Sequence, residues 1–278
     1  MAEAFRPKDL SEAVAIAAGR NVTLAAGCTD LFAATRARAI AAPVLDLTAL
    51  DGLKGIGAGA DGCRIGALTT WTDIARAHLP PAFDALRAAA REVGAVQIQN
   101  AGTIGGNLCN ASPAADGVPC LLALDASVEL ASVAGTRVMR LSDFLTGPRR
   151  TDLRRGEILT GVLVPKAALG GRSAFGKLGA RRYLVISIAM AAVRIESDGD
   201  RITAAAIAVG ACGPVAVRLR DQEEALLGVP PAEAAARIEP RLVAGALSPI
   251  DDIRADADYR RVAATEIVRR AVARAVAP

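Results

Sequence analysis

Residues 100–116 read NAGTIGGNLCNASPAAD, which sets Gly102, Gly105 and Gly106 beside Thr103, Asn107, Asn110 and Ser112. Glycines let a backbone come close to a ligand, and small polar side chains add hydrogen bonds without bulk. A concave run of amides suits phosphate or pyrophosphate, so the segment is a candidate cradle for an anion-bearing cofactor. The same composition also serves an ordinary loop between packed elements. A second candidate lies upstream. Residues 22–26 predict a short buried strand running into Gly27-Cys28-Thr29-Asp30, followed by a helix over 31–39 with Arg36 and Arg38 on its polar side. Strand, glycine turn and helix point free N–H groups at an anion, although Thr29 and Asp30 could equally just cap the helix. Lys177, in FGKLGARR, either pairs with a cofactor anion or is a solvated lysine at a strand end.

Other chemistries lack their residues. His78 is the only histidine, which removes Ser/His and Cys/His nucleophilic arrangements and leaves a surface residue ending a helix. Cys28, Cys63, Cys109, Cys120 and Cys212 are scattered with no C-x-x-C pair, so neither a disulfide framework, a zinc site nor a chain-borne iron–sulfur cluster is supported. The net charge of +4 comes mostly from arginines with no aromatic interleaving, which fits a solvated surface or protein contacts better than nucleic acid. The N-terminus has no apolar leader core, and no apolar run approaches a membrane span, so a soluble cytoplasmic protein is expected.

With 278 residues, 52% hydrophobic and only 3% aromatic, the chain can fill a large core with Ala, Val, Leu and Ile, and two domains are expected. Helices are predicted over 10–18 (capped by Ser11), 73–77 (capped by Thr70 or Thr72) and 82–93. Short strands are predicted over 44–47 and 63–68. Gly55, Gly57 and Gly59 lie between short strands and predict a hairpin, not a dinucleotide fingerprint. Beyond the glycine segment come a helix over 118–124, a strand over 127–131, a strand and turn over 138–144, and a strong strand over 157–164 closed by Pro165. Residues 166–172 mark the expected boundary. A meander over 184–195 and 202–211 turns at 197–200, and helices follow over 219–227, 231–246 and 259–277. In the last, Val262, Ile267, Val268, Ala271 and Val272 share one side.

TIGGN at 103–107, NASP at 110–113, Asp116 and AAGCTDL at 25–31 together resemble the FAD-binding (medium) subunits of molybdenum hydroxylases, the family of xanthine dehydrogenase and the carbon monoxide dehydrogenase flavoprotein. GEILTGVLVP (156–165), FGKLGARRYLVISIA (175–189) and SPIDDIRADADYRR (248–261) are similar to further family stretches, so the resemblance spans essentially the whole chain. It implies an α+β architecture: a PCMH-type FAD-binding domain of two α/β subdomains over 1–168, then a smaller α+β C-terminal domain of the CO dehydrogenase flavoprotein type over 172–278. It also implies the residues around FAD. Leu24, Ala25, Ala26, Gly27, Cys28, Thr29, Asp30 and Leu31 would wrap the pyrophosphate. Thr103, Ile104, Gly105, Gly106 and Asn107 would form a second wall. Asp116 would bond a ribityl or ribose hydroxyl, Leu159 would pack on or near the flavin, and Lys177 would lie near the cofactor. Cys28 stands where the family pattern has glycine, and is read as a small space-filling residue.

By the same resemblance the chain is one component of a larger enzyme. A small subunit would carry two 2Fe–2S centres and a large subunit the molybdopterin, assembled as a dimer of heterotrimers. Electrons would pass through FAD to NAD or another acceptor, a role that needs no catalytic acid or base in this chain. Two other readings stay open: a self-sufficient flavin oxidoreductase, and a cofactor-free assembly module.

Overall fold

The structure, a computed structural model, describes residues 3–35, 40 and 42–277. Three sheets organise it. A parallel sheet joins Ala4–Phe5, Val44–Asp46 and Thr23–Ala25, in that spatial order. Helix Leu10–Gly19 packs near it, burying Ala13, Val14 and Ala17 against Leu45 and Leu47. Its N-cap is Asp9, which accepts from the Glu12 amide; the predicted cap, Ser11, sits inside the first turn. The helix predicted over 31–39 starts two residues earlier, at Thr29, and runs to Ala34; positions 36–39 lie outside the described residues.

The second sheet is antiparallel, with strands Ile56–Gly59, Gly62–Gly66, Ile158–Pro165, Ser127–Ser132 and Gly135–Arg140 in spatial order. Its first pair is the hairpin expected from the spaced glycines. Against this sheet and its helices sits a core built around Ile65, Trp71, Phe83, Leu86, Leu108, Leu121 and Phe144. The expected loop at 100–116 is largely helical. Val96–Ala101 and Ile104–Asn110 are helices, and Gly117–Ala123 follows after a short turn. Thr103 explains the second of these, because its hydroxyl accepts from the Gly106 amide as an N-cap. Local glycine content argued for a loop, and burial of Ile104 and Leu108 overrode it.

The third sheet, also antiparallel, runs Arg172–Leu178, Ala189–Ser197, Ile202–Gly210 and Val217–Arg218. Strand Ala189–Ser197 is apolar on both faces over residues 189–193, and the period of two sends the faces to different cores. Ala189, Ala191, Val193 and Ile195 join the core under helix Ala257–Ala275, whereas Met190 and Ala192 join the core that includes Leu121 and Phe83. Alanines let the two layers approach closely in a chain poor in aromatics. The helix expected over 231–246 is broken by Pro240 into a 3-10 turn, Pro231–Arg237, and helix Pro240–Gly245. In the last helix Ile267, Val268, Ala271 and Val272 are buried as expected, but Val262 is 72% exposed. Among the described residues no helix is long and apolar enough to cross a membrane, and no cluster of His, Cys, Asp or Glu could hold a metal ion.

Candidate functional site

The two glycine segments meet. A Cβ on Gly27 would lie 1.9 Å from the Ala101 carbonyl oxygen, so the turn after strand Thr23–Ala25 packs backbone to backbone on the end of helix Val96–Ala101. A Cβ on Gly102 would come 3.5 Å from the Thr29 hydroxyl. Beside this contact opens a cavity of about 920 Å³, at the upper end of the range for small-molecule sites. Leu24, Ala25, Ala26, Gly27, Cys28, Thr29, Asp30 and Leu31 line one side of it, and Thr103, Gly105, Gly106 and Asn107 line the other.

The upstream turn carries donors that meet no acceptor among the described residues. Helix Thr29–Ala34 begins with no side-chain cap, so the first-turn amides of Thr29, Asp30 and Leu31 have no acceptor within the helix. Cys28 takes φ +57 at its start, the left-handed region that glycine fills without strain. That conformation supplies a physical reason for glycine in the family pattern. Its thiol is half-buried, and burial together with the Asp46 carboxylate raises its pKa. The cavity's other thiol, Cys109, is pushed up to about 12 by burial. Both therefore stay protonated near neutral pH and are poor nucleophiles.

The second turn works differently from the anion cradle its composition suggests. The amides of Ile104, Gly105, Gly106 and Asn107 donate to Thr69 O, Ala67 O, Thr103 Oγ1 and Thr103 O, at 2.9–3.1 Å. Its glycines serve close packing: a Cβ on Gly105 would sit 2.7 Å from the Ala67 carbonyl oxygen. What this wall offers is a side chain. Asn107 Oδ1 is buried and, among the described residues, has no hydrogen-bond partner. Because an orphaned buried acceptor is costly, it marks a place for a ligand donor.

Leu159 also lines the cavity, 4% exposed. It adjoins a register shift in strand Ile158–Pro165: Leu159 pairs with Leu130 and Gly161 with Glu129, leaving Thr160 as the extra residue of a bulge. Bulges of this kind re-aim neighbouring side chains. Ile104 does not line the cavity; it is fully buried in the core. Nor do Asp116 and Lys177, whose side chains are drawn to each other. Asp116 accepts from Lys177 Nζ at 2.6 Å and from the Ser187 hydroxyl at 2.7 Å, so both of its oxygens are engaged within the chain. Within the chain Asp116 and Lys177 thus satisfy each other, away from the residues that line the cavity. These residues tie the start of helix Gly117–Ala123 to the third sheet.

Sequence reading missed several walls. Trp71, the only tryptophan, lines the cavity while its ring packs against Gly117, where a Cβ would come within 2.5 Å. It opens a helix whose Thr70–Asp73 capping box is legible in the sequence. Arg149, at φ +57, reaches over the cavity and donates to the Asn110 side chain. Among the described residues, Asp30 and Arg149 are the only charged ones lining the cavity.

Comparison with known proteins agrees with this architecture. The family described as "FAD binding domain in molybdopterin dehydrogenase" matches residues 1–167, and "CO dehydrogenase flavoprotein C-terminal domain" matches residues 174–275. The chain is 37% identical to the nicotinate dehydrogenase FAD-subunit of Eubacterium barkeri over 241 residues, covering 82% of this chain and 80% of that one. It is 30% identical to the carbon monoxide dehydrogenase medium chain of Hydrogenophaga pseudoflava, covering 97% and 95%. In structure it is similar to CO dehydrogenase from Oligotropha carboxidovorans, with a TM-score of 0.90 and 27% identity over 99% of this chain and 98% of the other. An orphaned acceptor, uncapped amides and an apolar lining fit a cofactor that bears both phosphate and an aromatic ring system. The chain thus belongs to the FAD-binding subunits of molybdenum hydroxylase-type dehydrogenases, with FAD as its cofactor and an oxidoreductase as the enzyme it serves.

Proposed function

We propose that this chain receives electrons from 2Fe–2S clusters on a small partner subunit and hands them to NAD or another acceptor, while a large molybdopterin subunit oxidises the substrate. FAD supplies the redox chemistry, exchanging electrons between donor and acceptor. The chain's own residues bind and orient. The amides of Thr29, Asp30 and Leu31 would meet the pyrophosphate, with Gly27 letting the backbone come close and Asp30 at the rim. Asn107 would accept from a cofactor N–H or hydroxyl, while Leu24, Trp71 and Leu159 would exclude water from the ring. Thr103, Gly105 and Gly106 form the wall that holds Asn107 in place. Asp116 and Lys177 act behind that wall by fixing helix Gly117–Ala123, on which Trp71 packs. The supporting observation is the pairing of uncapped amides on one wall with the unpartnered Asn107 Oδ1 on the other.

The same lining speaks against a self-sufficient oxidoreductase, because among the described residues it holds no histidine or tyrosine and only Asp30 and Arg149 as charged groups. We further infer a division into residues 1–168 and 172–278, supported by the two family matches and by the short 3-10 turn Lys166–Ala168 between sheets. The test is co-purification of the chain with its neighbouring subunits, followed by anaerobic reduction with the substrate of the complex. Stable co-elution and bleaching of the flavin only when both partners are present are expected. Subunits that run separately, or full turnover of a small organic donor by this chain alone, would refute the reading. Anaerobic NADH that leaves the flavin absorbance unchanged would remove NAD as the acceptor.

A further inference from the structure

A second cavity, of about 840 Å³, opens beside the first without sharing a residue with it. Adjacent residues at the end of helix Asp84–Glu92 line the two, Glu92 the second cavity and Val93 the first. Phe175, Leu178 and Ile267 give the groove an apolar floor, and Arg181, Arg182, Arg270 and Arg274 stand along it. Glu92 is the only carboxylate in the lining among the described residues. Arg270 is paired with Glu266. The other three guanidinium groups meet no carboxylate among the described residues. Arg181 donates to the carbonyls of Tyr183 and Leu184, Arg182 lies 5.2 Å from the Tyr183 ring centroid, and Arg274 reaches only the Arg270 carbonyl.

The loop that carries two of these arginines also turns apolar side chains outward. Tyr183 is 58%, Leu184 53% and Ile186 62% exposed. Leu184 holds φ +52, which is unfavourable for a bulky residue, and the Arg181 guanidinium on its carbonyl secures that turn. A small-ligand pocket would turn such side chains inward. Uncompensated arginines beside an exposed tyrosine and branched aliphatics have instead the composition of a protein interface centre.

We propose that this groove, with residues 179–187, seats an acidic segment of a partner subunit, its carboxylates on Arg181, Arg182 and Arg274 and its apolar side chains against Tyr183, Leu184 and Ile186. The proposal rests on the reading of the chain as one subunit of a complex. Guanidinium forks match carboxylates bidentately, and the positive rim would steer an acidic partner into register. Docking there would place that partner one residue away from the wall of the cofactor cavity.

The test uses the co-expressed complex with Arg182→Glu/Arg274→Glu and, as a second variant, Arg182→Lys/Arg274→Lys. The reversal is expected to weaken association at least about tenfold with flavin content retained, and the lysine variant to restore most of it. Association of the unaltered complex should fall as salt rises. Unchanged association of the reversed variant, or a salt-independent complex, would overturn the proposal while leaving the subunit reading intact. Failure of the unaltered subunits to associate at all would overturn both. Titration of the isolated chain with ADP and with pyrophosphate adds a third arm. Binding that the reversed variant loses would make the groove a small-anion site and overturn the docking proposal.

Discussion

Lys177 Nζ lies 2.6 Å from Asp116 Oδ2, with both side chains more than nine-tenths buried, and the pair joins helix Gly117–Ala123 to the third sheet. Burial raises the Asp116 carboxyl above the ordinary carboxylate range; the Lys177 ammonium and the hydrogen bonds from Lys177 and Ser187 oppose it without cancelling it. A carboxyl with a raised native pKa contributes stability that is fully present below its unfolded value and is lost as pH rises through the native one. Lys177→Met strands the carboxylate, so unfolding free energy at neutral pH should fall by about 3–5 kcal/mol. That deficit should shrink as pH falls through the raised native pKa, above the ordinary carboxylate value of about 3.9, because the carboxyl then protonates in the folded state and no longer needs the ammonium. Denaturant melts of wild type and variant across this range check it; a deficit that does not vary with pH would mean the pair is not what stabilises the joint.

Cys28 occupies the left-handed region at φ +57. Cys28→Gly should stabilise the protein by up to about 1 kcal/mol, the relieved strain being partly offset by chain entropy. Cys28→Val should destabilise it, and both effects are read from thermal unfolding. Because burial and Asp46 raise the thiol, alkylation of Cys28 should be slow at neutral pH and accelerate only above the ordinary thiol range. Rapid labelling at pH 7 would contradict the assigned environment.

Gly27 and Gly106 lie on opposite walls but should answer differently to alanine. At Gly27 the new Cβ would meet backbone at 1.9 Å, so Gly27→Ala should cost about 3 kcal/mol or more and abolish flavin retention. At Gly106 the nearest atom is the Thr103 hydroxyl at 3.0 Å, a side chain that can give slightly. Gly106→Ala should therefore keep the fold. Melting temperatures and flavin content of the two variants separate the cases.

Asn107→Ala should act with opposite signs on the two states of the protein. Without cofactor it removes a buried, unpartnered acceptor, so the apoprotein should melt no lower than wild type. With FAD it removes a hydrogen bond, and affinity measured by flavin fluorescence should drop about tenfold. Unchanged affinity would show that Oδ1 faces no cofactor donor.

Much of the fold was legible because it is set locally. The Thr70–Asp73 capping box, the hairpin of spaced glycines, the strand that Pro165 ends and the buried side of helix Ala257–Ala275 all follow from residue type and period. The motifs AAGCTDL and TIGGN, with their order along the chain, were enough to point to the family and to FAD, because few backbones need glycines at both places.

Tertiary structure alone decided how those motifs work. The sequence contains no sign that TIGGN spends the amides of Ile104 and Gly105 on Thr69 and Ala67, since those acceptors arrive from a turn that follows a different strand. Nor does it reveal that Asp116 and Lys177, 61 positions apart, satisfy each other. Composition identifies donors, but which acceptor claims each one depends on long-range packing. The same holds for the arginines of the second groove. Their spacing reads as ordinary surface charge until a loop and a helix end from distant parts of the chain bring Arg181, Arg182 and Arg274 to one rim, none of them paired with a carboxylate among the described residues.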